Sequence, residues 1–227
     1  AVAQLAEAGI ETEPNDLCET ALTVTAGERK IRNSASYLQG DVELQDASSQ
    51  AVVAAIPASR RILDYCAGGG GKALALAAAP GTQVFAHDID PRRMSDLPAR
   101  ADRAGVSITQ VTTDAVAQQG LYDTVLCDAP CSGSGSWRRS PEAKWTLTQQ
   151  RLDELTQIQD SILDRASGLV KPDGLLVYAT CSVLTAENED RVNAFLARHP
   201  EWKLGLMRCY DVTDQGDGFF TTHLMRV

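Results

Sequence analysis

Two cysteines stand where a thiol can do chemistry. One lies in Asp128-Ala129-Pro130-Cys131-Ser132-Gly133-Ser134-Gly135 and the other in Ala179-Thr180-Cys181-Ser182, each following an apolar, strand-like run. Both turns are polar and flexible, so both thiols are expected just past the carboxyl ends of neighbouring strands, flanking one cleft. A thiolate there can act as a nucleophile. Cys18, Cys127 and Cys209 read instead as small buried hydrophobes, as does the side chain of Cys66. Cys127 and Cys131 have half of a zinc-site spacing, but His87, His199 and His223 are scattered and Cys131 sits in a Pro/Gly/Ser turn. No metal is expected.

A second constellation is Asp64-Tyr65-Cys66-Ala67-Gly68-Gly69-Gly70-Gly71-Lys72. Glycines between a strand and a helix let the backbone approach a ligand and aim N–H groups at it. A phosphate-cradling P-loop needs Gly in place of Cys66 and Ser or Thr in place of Ala73, so that reading fails. A dinucleotide fingerprint survives loosely, as Gly68-x-Gly70-x-x-Ala73 with Asp88 following at strand two's end. Asp88 is placed to accept hydrogen bonds from ribose hydroxyls, Asp90 to cap the helix opened by Pro91, and Asp114 to meet an adenine amino group or cap a turn. These residues suit NAD and S-adenosylmethionine equally.

The elements that must position them alternate. Helix Ala47–Ile56 precedes strand Arg61–Cys66, helix Lys72–Ala79, strand Gln83–Ile89, a helix from Pro91 to Arg103, and strands Ser107–Thr113 and Tyr122–Cys127. A long helix then spans Thr148 to Leu169, with Leu152, Leu155, Ile158, Ile162 and Leu169 on one apolar face. Pro172-Asp173-Gly174 reads as a turn before strand Gly174–Thr180. A helix from Ala186 to Ala197 and the strands Trp202–Tyr210 and Gly218–Arg226, an antiparallel edge pair, complete the chain. This order predicts a mostly parallel α/β sheet with helices on both faces, and ligands at the strands' carboxyl ends. Residues 1–45 read as irregular, with an acidic loop at Glu11–Asp16 and a strand or two within Leu22–Ile31.

The 227 residues suffice for one α/β domain with a modest extension. No apolar run approaches a membrane span of about 20 residues, and six cysteines without a disulfide spacing fit reduced thiols in a cytoplasmic protein. Ala1 and the lack of a leader pattern read as a segment of a longer chain. The net charge of −9 argues against a general nucleic-acid binder. Positive charge is nonetheless clustered at Arg138, Arg139 and Lys144, beside the Cys131 turn, where Trp137 and Trp145 offer stacking surfaces.

LDYCAGGGGK, AHDIDPRR, LCDAPCSGSG, KPDGLLVYATCS with Glu187-Asn188, and the terminal DGFFTTHLMR together resemble the RsmB (Sun/Fmu) family of RNA cytosine-5 methyltransferases, from about Gln45 onward. The resemblance implies a Rossmann-like class I methyltransferase with a seven-stranded sheet over residues 46–227. Residues 1–45 become an extension, the remnant of an RNA-binding part, with the family's N-terminal NusB-like domain missing. It implies S-adenosylmethionine held by Cys66 to Lys72, Asp88, Asp114 and Asp128. RNA, ribosomal RNA above all, is the implied partner of a monomer. Cys181 becomes the nucleophile that adds to carbon 6 of cytosine, Asp128 the donor at N3, and Cys131 the base that frees the product, with Lys72 ordering the site. Where the family commonly has Ala-Pro before Gly-Gly-Lys, this chain has Gly68-Gly69. The DNA enzymes use only the Pro-Cys thiol, so the Thr-Cys-Ser thiol points to RNA. A tRNA methyltransferase, a nicotinamide-linked oxidoreductase and a non-catalytic RNA- or S-adenosylmethionine-binding module are the alternatives; the oxidoreductase leaves both cysteines unexplained.

Overall fold

The computed structural model describes residues 1–227. Its helices are Val2–Glu7 (α1), Ala35–Leu38 (α2), Ala47–Ala54 (α3), Gly71–Ala77 (α4), Leu97–Arg103 (α5), Glu142–Thr146 (α6), Gln149–Ser167 (α7) and Glu189–Arg198 (α8). Its strands are Glu11–Pro14 (β1), Leu22–Ala26 (β2), Arg61–Asp64 (β3), Gln83–Ala86 (β4), Ile108–Gln110 (β5), Tyr122–Asp128 (β6), Val170–Thr180 (β7), Trp202–Tyr210 (β8) and Phe219–Arg226 (β9).

The main sheet has seven strands in the order β5-β4-β3-β6-β7-β9-β8. β3 to β7 pair in parallel. The expected C-terminal pair closes one side: β9 runs antiparallel between β7 and β8, and β8 forms the edge. Successive strand residues alternate between two apolar cores. Ile62, Leu126 and Val177 pack with α3, α4 and α5. Leu63, Val125, Cys127, Leu176 and Tyr178 pack with α7 and α8 on the opposite face. The common direction of the parallel strands brings the carboxyl ends of β3, β4, β6 and β7 to one rim.

The boundaries depart from expectation for local reasons. The helix expected from Pro91 to Arg103 breaks into a 3-10 turn, Pro91–Met94, and α5. Pro98 has no N–H to give the Met94 carbonyl, which accepts from Gln110 Nε2 instead. Pro172-Asp173-Gly174 is not a connection but a bulge inside β7: Tyr122 pairs with Val170 and Thr124 with Leu175, and Asp173 has φ 57°. The buried stripe of α7 is Leu155, Gln159, Leu163 and Ala166, while Ile158 is 40% exposed. Cys209 is exposed on β8 rather than buried.

Residues 1–45 are more ordered than the sequence suggested. The acidic segment Glu11–Pro14 pairs antiparallel with β2, over a small cluster of Leu5, Ile10 and Ile31. Glu43 pairs with both Arg100 and Arg103 of α5, and the Arg103 guanidinium lies 4.1 Å from the Tyr37 ring centroid. These contacts fasten the extension to the glycine-loop side of the sheet.

Candidate active site

The glycine loop follows β3. Gly68 (φ +52°) and Gly70 (φ +79°) take left-handed backbone, and a Cβ on Gly70 would lie 2.4 Å from Leu97 Cδ1. A side chain there is excluded twice over, by conformation and by space. Asp88, past the end of β4, is buried. Its Oδ2 accepts from the Gly68 N–H at 2.9 Å and pairs with Arg93 Nη1 at 3.1 Å, and its Oδ1 accepts the Asp90 N–H at 3.0 Å. Oδ1 thus keeps an acceptor position for a hydroxyl. Asp90 caps the following turn through the Arg92 N–H, as expected.

Two cavities meet here. The first, about 570 Å³, is lined by Tyr65, His87, Asp88, Ile89, Ile158 and Ile162 among others. The second, about 500 Å³, holds the glycine loop, Lys72, Asp128, Cys131 and Cys181. Cys66, Arg93, Pro130 and Arg151 line both. Asp114 lies outside this gathering: it is exposed and lines neither cavity. Sequence reading passed over His87, which stacks on Tyr65 at 4.6 Å and donates from Nδ1 to the Tyr65 carbonyl at 2.7 Å. In the sequence His87 is only one of three scattered histidines. Sequence reading also took Ile158 and Ile162 for core, because a cavity-facing apolar residue has the same helical period as a buried one.

The chemistry-bearing groups converge in the second cavity. Cys131 Sγ and Cys181 Sγ are 3.4 Å apart. The hydrogen bond from Cys131 holds the Cys181 thiol below its usual range, with Lys72 adding to the effect, against burial and Asp128, which push it up. The same bond, together with burial, pushes Cys131 well above the usual thiol range. Burial also pushes up Cys66 and Cys127, so Cys181 is the only thiol on the cavity walls pulled toward the reactive form. Lys72, 7% exposed, places Nζ 2.6 Å from Asp128 Oδ2 and 4.9 Å from the centroid of the Phe219 ring. Beneath the pair, burial followed by the charge of Asp128 pushes the Asp64 carboxyl up to about 7. Glu187, fully buried, lies behind both cysteine turns.

Two members of the basic cluster are already paired. Arg138 and Arg139 both pair with buried Asp217, just before β9. Trp145 is 83% exposed, whereas Trp137 is half-buried. No group of three or more His, Cys, Asp or Glu is placed to hold a metal ion, and no helix is long and apolar enough to cross a membrane.

A mostly parallel sheet with one antiparallel strand inserted, a glycine loop after its first strand and an acidic residue after its second is the architecture of a Rossmann-like class I methyltransferase domain, and its family makes S-adenosylmethionine the cofactor. The family model of the 16S rRNA methyltransferase RsmB/F matches residues 51–225, and the chain belongs to that family. A ribosomal RNA small subunit methyltransferase B of Salmonella arizonae is 38% identical over 84% of this chain and 48% of its own length. That of Klebsiella pneumoniae is 36% identical over 99% of this chain and 56% of its own. The chain therefore spans about half the length of the curated relatives it matches. Among solved structures, one described as PH0851 superposes with a TM-score of 0.89 at 29% identity, covering 98% of this chain and 55% of its own. NSun6 from Pyrococcus horikoshii with SFG gives 0.78 at 21%, covering 91% of this chain and 59% of its own, a likeness of fold.

The walls fit S-adenosylmethionine on their own chemistry. A Cβ-free cradle faces the second cavity, the Asp88 carboxylate keeps a free acceptor position, and Ile158, Ile162 and Tyr65 offer an apolar slot for a base. Replacing Asp88 by alanine is expected to weaken cofactor binding by about 1–3 kcal/mol, the range for losing a charged hydrogen-bond partner. Calorimetry on the folded variant measures this; unchanged affinity would remove Asp88 from the cofactor site.

Proposed function

We propose that this protein transfers a methyl group from S-adenosylmethionine to carbon 5 of a cytosine in RNA, small-subunit ribosomal RNA in particular. The observation that carries this reading is the thiol pair: one sulfur inclined to thiolate, its partner held protonated 3.4 Å away, on the wall next to the cofactor cavity. Bound S-adenosylmethionine supplies an electrophilic methyl on a sulfonium centre.

Carbon 5 of cytosine is too weak a nucleophile to take that methyl unaided. The Cys181 thiolate adds to carbon 6, and the displaced double-bond electrons make carbon 5 enamine-like. Asp128 serves N3, where negative charge develops, with a proton drawn from the Lys72 ammonium it contacts. After transfer, carbon 5 carries both a proton and the new methyl. Cys131 gives up its own proton to solvent and, as thiolate, takes the one from carbon 5. The C–H electrons restore the carbon 5–carbon 6 double bond, Cys181 leaves as thiolate, and N3 returns its proton through Asp128 to Lys72. The timing follows from the pair itself. The hydrogen bond to Cys181 is the largest cause holding Cys131 protonated, and it loses its anionic acceptor once Cys181 is bonded to carbon. Asp114 enters this reading only as an adenine contact, one that would require its turn to approach the cavity.

Such a pocket takes an unpaired or extruded base. Trp145 is the side chain free to stack on a neighbouring nucleotide, and Lys144, 5.6 Å from its ring centroid, adds charge. Phosphates reaching Arg138 and Arg139 must compete with Asp217. We assign residues 1–45 as an accessory unit of the catalytic domain on the RNA side, and place the protein in the cytoplasm, where its thiols stay reduced. The test is incubation of this chain with S-adenosylmethionine and small-subunit ribosomal RNA, followed by bisulfite sequencing. Protection of a defined cytosine supports the reading. Methyl transfer to another atom refutes it, and protection confined to transfer RNA changes the substrate.

A further inference from the structure

Each reactive cysteine is followed by a serine, and both serines reach the same carboxylate. Glu187 Oε1 accepts the Ser132 N–H at 2.8 Å and Gln159 Nε2 at 3.1 Å, and its Oε2 accepts the Ser132 hydroxyl at 2.5 Å and the Ser182 hydroxyl at 2.6 Å. The side chain accepts four hydrogen bonds from three segments: the Cys131 turn, the Cys181 turn and α7. It is fully buried, and its own backbone is held in place by Tyr178, whose hydroxyl donates to the Glu187 carbonyl at 2.6 Å. A buried carboxylate has a large desolvation cost unless its acceptor positions are filled, so this clamp is a built feature of the fold.

We propose that Glu187 is a positioning residue that sets the spacing at which the two thiols share one proton. The proposal rests on the catalytic reading above for its use, but not for its test. By binding the residue after each cysteine, Glu187 fixes both turns and hence the 3.4 Å approach of the sulfurs. The hydrogen bond across that gap is the largest cause lowering Cys181 and raising Cys131, so whatever holds the spacing also holds the difference between the two thiols. The other groups facing the pair are Tyr178 behind Cys131, and Asp128, Lys72 and Arg139 near Cys181.

Alkylation of the intact chain by iodoacetamide across pH, read cysteine by cysteine from peptide masses, tests this without cofactor or RNA. In the unaltered protein, Cys181 is expected to react first and to stay reactive below the pH at which an ordinary thiol fades. In Glu187→Gln, the Cys181 to Cys131 preference should fall by about tenfold, as expected for a change of one logarithmic step in relative acidity. An unchanged preference and pH profile in folded Glu187→Gln overturns the proposal. If that variant does not fold, Ser132→Ala/Ser182→Ala decides: it keeps the charge but loses both hydroxyl donors, so a lowered preference supports the clamp and an unchanged one overturns it. Absence of methyl transfer to any RNA would sink the catalytic reading and leave this result standing.

Discussion

Replacing Cys181 by alanine is expected to abolish methyl transfer and any covalent protein–RNA species, whereas replacing Cys131 by alanine should let the adduct form and persist. Addition to carbon 6 needs the sulfur that is drawn toward thiolate, and that is Cys181. Elimination needs an acceptor for the carbon 5 proton, and Cys131 is the neighbouring sulfur. Without it, the methylated base stays bonded to the protein, visible as a slow band on a denaturing gel that protease removes. Loss of the nucleophile itself should lower the rate by several powers of ten, as in other covalent catalysts. Adducts in Cys181→Ala but not in Cys131→Ala would exchange the two roles. Methyl transfer persisting in Cys181→Ala with no adduct anywhere would remove covalent catalysis from this protein.

The second large effect concerns stability. Both carboxylate oxygens of Asp64 are buried without a hydrogen-bond partner, and the group titrates at about 7 instead of 3.8. The unfolded chain releases this proton at the lower value and the folded protein at the higher one. Between them the native state binds more protons, so stability falls as pH rises. The contribution is intact below about 4 and lost above about 7, a difference of about 4 kcal/mol. Thermal unfolding from pH 4 to 8 should show this decline in the unaltered protein and a flatter profile in Asp64→Asn. Equal slopes in the two would show that Asp64 titrates as an ordinary surface carboxylate.

Much of this site could be read from the sequence because its signals are local. The Cys131 and Cys181 turns and the Gly68–Gly71 loop each follow an apolar run that can only be a buried strand, and parallel strands deliver such turns to one rim. The seven-stranded α/β sheet follows from the same alternation. What escaped depends on partners distant in sequence. Glu187 was noticed only as part of a motif, since nothing near it tells that Ser132, 55 positions earlier, donates to it. Asp217 meets Arg139 across 78 positions, so charges that looked free for phosphate are already paired. Glu11–Pro14 carries two acids and a proline and looks like a loop, yet an edge strand tolerates both. The Asp173 bulge keeps Pro172 within β7, where the sequence alone signals a turn.

The place of β9 sets the order in which the protein can become active during its synthesis. The strand that leaves the ribosome last among the nine is not the outermost; it must enter between β7 and β8. Its leading residues also complete the pocket. The Gly218 N–H donates to the Gly135 carbonyl, in a contact so close that a Cβ on Gly135 would lie 1.9 Å from the Gly218 carbonyl oxygen, and Phe219 covers Lys72. A nascent chain that has emerged only through β8 therefore has both cysteines but not the wall behind Lys72 or the partner of Arg139. The site closes only when the β9 segment has joined the sheet, so a chain made only through β8 carries both cysteines without an assembled pocket around them.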